Sequence, residues 1–99
     1  MDAMNVGNVT LDTRHGNILH MRASESFTVV EIEALGDYAA AMRRELGGEV
    51  PIGAIIEIDG PMTIHRSARK ALMRLGREQP FVHTAIVGAS YKTRVLFEL

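Results

Sequence analysis

The sequence predicts an α/β (α+β) protein with a mixed, partly parallel four-stranded sheet, an N-terminal β-hairpin and helices packed on the sheet. Two short apolar runs, 52–58 and 82–87, are rich in β-branched residues, and each stops at a turn before a helix-like segment. This pattern is typical of strands that are buried in a parallel sheet. Because strand–helix–strand units have right-handed crossovers, the two runs are expected to lie side by side and point the same way.

The opening hairpin is predicted from alternating polarity. Val9, Leu11 and Thr13 alternate with polar neighbours, as in a half-buried strand. Gly16 and Asn17 can both adopt positive φ, which predicts a turn around them. Residues 18–23 then form the returning strand.

The first helix has a complete start signal. Thr28 and Glu31 fit a capping box, and Phe27 and Ile32 occupy the positions of a hydrophobic staple. An apolar stripe at helical spacing predicts its buried face: Ile32, Leu35, Tyr38, Ala39, Met42 and Leu46. Gly47-Gly48 is expected to end the helix in a left-handed cap. A strand is the alternative for the first turn, because two valines follow the predicted cap.

A second and a third helix follow the two apolar runs. Gly60-Pro61 is expected to break the first run, and Thr63 or His65 caps a helix that runs to about Gly76. Its predicted inner stripe is Ile64, Ala68, Ala71, Leu72 and Leu75. After Gly88, Ser90 is expected to cap the last helix. Phe97 lies away from the apolar face of that helix, which indicates either a missing tail or a homodimer through the C-terminal helix.

Length and composition limit the functional classes. The 99 residues, 46% of them hydrophobic, predict one globular domain over 1–99. The chain has no cysteine, which excludes disulfides and thiolate sites, and its net charge of −1 gives no global attraction to nucleic acid. The start lacks a signal-peptide pattern, and no apolar run approaches the roughly 20 residues of a membrane span. A cytoplasmic location is therefore expected.

Neither an enzyme site nor a metal site is predicted. The four histidines have no metal-ligand spacing: His15, His20, His65 and His83. His65 follows Asp59 and precedes Ser67, but no nucleophile elbow or oxyanion pattern accompanies these residues. We therefore expect no catalytic residue, no metal ligand and no cofactor.

Polar residues are expected to meet at the carboxyl edge of the sheet, where two helices begin. They are Asp59, Thr63, His65, Ser90 and Lys92, together with Gly60 and Gly88. Helix N-termini at such an edge offer free backbone amides to an anion. The alternative is that these residues only build tight strand-to-helix turns.

Cations cluster on the outer half of the second helix. Arg66, Arg69 and Lys70 lie there with Arg74 and Arg77. Arg66 lies in the first turn, where a positive charge opposes the helix macrodipole by ~0.3–1 kcal/mol. The cluster indicates a docking face for an acidic partner, a phosphate or an anionic headgroup. An ordinary solvated face is the alternative.

Two stretches carry a family resemblance. Residues 54–60 with 62–69, reading AIIEIDG and MTIHRSAR, resemble the central strand, loop and helix of STAS domains. This group includes the bacterial anti-sigma factor antagonists and their SpoIIAA-like relatives. The stretch AIVGAS at 85–90 is similar to their next strand and turn. The resemblance implies a signalling domain that binds a regulatory protein, such as a kinase or an anti-sigma factor.

The resemblance also locates a regulatory position. Phosphorylated STAS domains carry Asp-Ser-Ser-Gly at this turn, and a kinase modifies the first serine. Aligned through Ile64, these positions are His65, Arg66, Ser67 and Ala68. Arg66 in the switch position implies a domain without the phosphoserine switch, although Ser67 keeps a hydroxyl where the helix dipole favours a phosphate.

The sequence thus predicts a non-enzymatic regulatory protein–protein interaction domain that resembles the anti-sigma factor antagonists. The segment from Asp59 to Arg77 is the expected binding region. The alternative is a module that binds a small anionic or lipid ligand at the carboxyl edge of the sheet.

Overall fold

The computed structural model describes residues 2–88, which form five strands and two helices. The strands are β1 (Met4–Val6), β2 (Val9–Arg14), β3 (Ile18–Phe27), β4 (Gly53–Ile64) and β5 (Thr84–Val87). The helices are α1 (Val29–Leu46) between β3 and β4, and α2 (Arg66–Glu78) between β4 and β5. The predicted third helix, with Ser90 and Phe97, lies outside the described residues.

The strands form one mixed sheet in the order β1-β2-β3-β4-β5. The pairs β1–β2 and β2–β3 are antiparallel, whereas β3–β4 and β4–β5 are parallel. Ala54 pairs with Thr84 and Glu57 pairs with Val87, so the two apolar runs are parallel neighbours. The predicted α/β class, the mixed sheet and the parallel pairing of these runs are confirmed.

The predicted number of four strands is wrong, because a short edge strand precedes the hairpin. In this strand, β1, Val6 pairs with Val9, which leaves Gly7 and Asn8 as a two-residue turn. Gly7 has a φ of 54°. A Gly-Asn pair between two valines is a hairpin signal, but a three-residue strand is too short for an alternating pattern to reveal it.

The predicted end of β4 at Gly60-Pro61 is also wrong, because the strand continues to Ile64. Asp59 pairs with Ser24 and Met62 pairs with Glu25, so Gly60 and Pro61 are two extra residues in β4. Such a bulge accommodates proline, which cannot donate a hydrogen bond to a neighbouring strand. Pairing resumes beyond it because β3 extends to Phe27.

The helix ends agree with the sequence signals, with differences in detail. Thr28 is the N-cap residue of α1, but its hydroxyl bonds to the Glu31 carboxylate instead of to a backbone amide. Gly47 closes α1 with a φ of 91°. His65 is the N-cap residue of α2, and this helix passes the expected end at Gly76 to reach Glu78.

In the hairpin turn between β2 and β3, His15 (53°) and Gly16 (81°) adopt positive φ, whereas Asn17, which could also adopt it, does not. The Asn17 side chain instead donates a hydrogen bond of 3.1 Å to the carbonyl of Pro51. The Asn17 carbonyl accepts a bond of 3.1 Å from the amide of Gly53. Asn17 therefore ties the turn to the start of β4.

Both helices cover one face of the sheet. The core contains the predicted stripe of α1, with Leu46 only partly buried, and Ala68, Ala71 and Leu75 of α2. From the sheet it receives Val9, Leu11, Leu19, Met21, Ala23, Phe27, Ile56 and Ile58. A Cβ built on Gly36 of α1 would lie 3.1 Å from Leu75 Cδ1, so the two helices approach closely at this point.

A glycine substitution tests the contact between the end of β5 and β4. Gly88 has a φ of 80°, and a Cβ there would lie 2.5 Å from the carbonyl oxygen of Ile58. Gly88→Ala should lower the free energy of unfolding by about 1–3 kcal/mol, measured by urea denaturation.

Gly76→Ala is the matched control, because a Cβ at this helical position meets nothing within 4 Å. This change should raise the free energy of unfolding by about 0.5–1 kcal/mol, since alanine is the better helix former. Equal effects of the two substitutions would contradict the described backbone at Gly88.

Candidate functional site

The outer face of α2 is the strongest candidate for a binding surface. Six of its exposed residues follow helical spacing along the helix, and five of the six are cations: Arg66, Arg69, Lys70, Met73, Arg74 and Arg77. Ser67, Gly76 and Glu78 are exposed as well. Ala68, Ala71 and Leu75 alternate with the exposed residues and hold the opposite face in the core. We call the six residues with helical spacing the basic face.

The basic face is poor in ion pairs. Arg74 lies 4.0 Å from Glu78 on the same helix. Among the side chains that the structure describes, which do not include those of Glu25 and residues 60–63, no carboxylate forms an ion pair with Arg66, Arg69, Lys70 or Arg77. The first turn contains no acidic residue, although it begins with Arg66. These positive charges are therefore available to an anionic surface, and Met73, which is 60% exposed, adds an apolar contact.

The structure does not bring together all residues of the predicted carboxyl edge. The last residue of β5, Val87, lies opposite Glu57, whereas β4 continues to Ile64. On β3 the partners of Glu57 and Ile64 are Arg22 and Phe27, five residues or ~17 Å apart. Gly88 therefore lies beside Ile58, well before the start of α2.

The predicted site residues lie in different parts of the structure. Thr63 lies within β4, and His65, Arg66, Ser67, Arg69 and Lys70 form the exposed start of α2. Gly88 follows β5, and Asp59 lies on β4 before the bulge. Ser90 and Lys92 lie outside the described part of the chain. Of the predicted site residues, those at the start of α2 belong to its outer face and lie apart from Asp59 and Gly88.

Asp59 belongs to a surface ion pair. Its Oδ2 accepts a hydrogen bond of 2.7 Å from Nε of Arg22 on β3. This hydrogen bond and the charge of the carboxylate raise the pKa of Arg22 above its ordinary value. Both side chains are exposed, so solvent screens the pair and it contributes little to stability.

A charged cluster on the other face of the sheet was missed by the sequence reasoning. His20 of β3 is 3% exposed and lies between two carboxylates. Its Nδ1 is 3.1 Å from Asp12 Oδ2 on β2, and its Nε2 is 3.1 Å from Glu57 Oε2 on β4. Nε2 is close enough to Glu57 for an ion pair, but the angle between the two groups does not allow a hydrogen bond. Nε2 therefore has no hydrogen-bond partner in the described structure.

This cluster ties three strands together. Asp12 pairs across the sheet with His20, and Glu57 is the neighbour of Arg22, two residues further along β3. Arg14 lies 3.3 Å from Asp12 and extends the cluster toward solvent. Because solvent reaches almost none of the imidazole, the arrangement suits a structural role better than contact with a substrate.

The sequence carried one signal for this cluster. Asp12, His20 and Glu57 each occupy the polar positions of an alternating strand. Their meeting depends on the register of β2, β3 and β4, and residues 20 and 57 are separated by a whole helix. Neighbours in sequence do not encode such a contact.

The described part of residues 2–88 contains neither a metal-binding cluster nor a membrane-spanning helix. No group of three or more His, Asp or Glu side chains is arranged to hold a metal ion. None of the described helices is long and apolar enough to cross a membrane.

A groove of about 200 Å³ lies between α1 and α2. Glu33 and Asp37 line it from α1, and Arg74 and Glu78 line it from α2. The groove therefore separates an acidic stretch of α1 from the basic face of α2.

Comparisons of the chain with protein families, with curated proteins and with solved structures find no match.

The buried histidine can be tested by substitution. His20→Ala should lower the free energy of unfolding by about 2–4 kcal/mol, because it removes a packed ring and leaves the Asp12 and Glu57 carboxylates without their common partner. Urea denaturation followed by circular dichroism measures the change.

His83→Ala is the matched control, since the side chain of His83 is exposed. Its stability should lie within about 0.5 kcal/mol of the parent protein. If His20→Ala were as stable as this control, the described cluster would not contribute to the fold.

Proposed function

We propose that this chain is a non-enzymatic regulatory domain that binds a protein partner through the basic face of α2. The observation that carries the proposal is the first-turn Arg66, which opposes the helix dipole and has no acidic neighbour in its turn. Three further cations on this face form no ion pair in the described chain. An acidic partner surface would supply the missing negative charge.

The shape of the face favours a protein over a small ligand. Its six residues run along the full length of a 13-residue helix, on a convex surface. Ligand pockets are concave and bury most of a small molecule. The small-ligand alternative at the carboxyl edge has less support, because Gly88 and the start of α2 are separated along β4.

The resemblance to STAS domains supports a regulatory role. In that alignment Arg66 stands where phosphorylated relatives carry the switch serine. Arginine lacks the hydroxyl that a serine kinase modifies, and its guanidinium keeps its charge at all physiological pH values. The proposed domain therefore binds its partner without phosphorylation control at that position.

Binding of an acidic probe tests the proposal. A fluorescein-labelled peptide of about 15 glutamates should bind the parent protein, and raising the salt from about 0.05 to about 0.5 M should weaken the binding. In Arg66→Ser/Arg69→Ser the affinity should fall at least about fivefold, because two of the unpaired cations are lost. Fluorescence anisotropy measures both effects.

Arg14→Ser/Arg44→Ser is the control of equal net charge. Both arginines are exposed and lie outside the basic face, so this variant should bind the peptide like the parent. Salt-insensitive binding with unchanged affinity in Arg66→Ser/Arg69→Ser would overturn the proposal. Equal losses in both double variants would show a response to net charge alone.

A further inference from the structure

The two helices form an outer layer in which opposite charges lie side by side. Each helix connects two parallel neighbours of the sheet, so α1 and α2 run in the same direction. Gly36 approaches Leu75 where they pack together. The groove between the helices is lined by Glu33 and Asp37 on one side and by Arg74 on the other, so the exposed side of α1 flanks the basic face from Ala71 onward.

The first half of the exposed side of α1 carries the complementary charge, and the exposed Arg44 lies in the last turn of the helix, two turns after Asp37. Val30, Glu33 and Asp37 are spaced by three and four residues, and all three are exposed. We call these three residues the acidic stripe. Its carboxylates form no ion pair with any residue in 2–88.

The layer formed by α1 and α2 is complementary in charge to a copy of itself rotated by half a turn. A two-fold axis parallel to the helices and above the groove between them places α1 of one copy over α2 of the other. Because the contact is reciprocal, each basic face meets an acidic stripe, and the two contacts are identical. Since the axis is parallel to the helices, each residue keeps its height along the helix.

We propose that the helix layer binds a second copy of this chain, with the basic face of each copy against the acidic stripe of the other. Opposite charges in register give the attraction and fix the orientation. Val30 and Met73, which are 62% and 60% exposed, supply apolar area between the charges. This inference uses the same face as the proposed function, but it does not require an acidic partner to exist.

A second copy fits this layer better than an anionic membrane does. A flat anionic surface laid on the basic face would also meet Glu33 and Asp37 of the neighbouring helix, and like charges repel. A rotated copy presents positive charge to these carboxylates instead. The copy also covers the basic face, so self-association competes with the proposed binding of an acidic partner.

Two charge-reversed variants test the pairing. In Glu33→Lys/Asp37→Lys both helices become basic, and in Arg69→Glu/Lys70→Glu both present carboxylates. Sedimentation velocity at about 0.05 M salt should show a parent dimer with a Kd below about 100 µM. Each variant alone should self-associate at least about tenfold more weakly, because like charges then face each other.

Sedimentation velocity of a mixture of the two variants is the decisive experiment. In the mixture the lysines introduced at positions 33 and 37 of one variant face the glutamates introduced at positions 69 and 70 of the other, so a heterodimer of parent-like affinity should form. This recovery also shows that both variants are folded. Circular dichroism of each variant provides an independent check.

Three outcomes would overturn the inference. They are a monomeric parent at about 100 µM, variants that each dimerise like the parent, and a mixture that stays monomeric although the parent dimerises. The proposed function is separable, because Glu33→Lys/Asp37→Lys should lose self-association and still bind the glutamate peptide. A monomeric Glu33→Lys/Asp37→Lys variant that fails to bind the peptide would contradict the proposed function alone, because no second copy then covers its basic face.

Discussion

The parallel pairing of β3 with β4 is the constraint on which the rest of the structure depends. Ten residues of β3 pair with β4 across the centre of the sheet, through the bulge at Gly60-Pro61. This register sets the direction of α1, and through β5 also that of α2. It brings the helices together at Gly36 and Leu75, and it brings His20 next to Glu57 on the opposite face. Both charged surfaces of the molecule are consequences of it.

These two surfaces differ in how their charges are satisfied. On the helix-free face, Asp12, His20 and Glu57 lie within ion-pair distance, and Arg22 bonds to Asp59. On the helix layer, most cations of the basic face and the carboxylates of α1 have no such partners in the described chain. Charges that pair within the chain have less need of an outside partner, whereas unpaired charges of two signs on one surface are suited to binding another molecule. This difference is the reason for placing function on the helices.

The features that could be predicted from the sequence are those fixed by local burial. The apolar stripe of α1 and the runs that became β4 and β5 follow from periodicity, because each segment must bury one face. The edge strand β1, the continuation of β4 beyond Pro61 and the cluster around His20 depend on pairing between distant segments. For the same reason, the basic face was found as a helical pattern, whereas its acidic neighbour on α1 became evident only when the helices were placed side by side.

The most direct test of the account is the register of β3 and β4 in solution. Nuclear Overhauser effects between backbone protons should connect Leu19 with Ala54, Met21 with Ile56 and Ala23 with Ile58, so that both residue numbers rise together. An antiparallel series, or the absence of contacts between these strands, would contradict the account. It would also contradict the parallel arrangement of α1 and α2, on which the proposed pairing of the basic face with the acidic stripe depends.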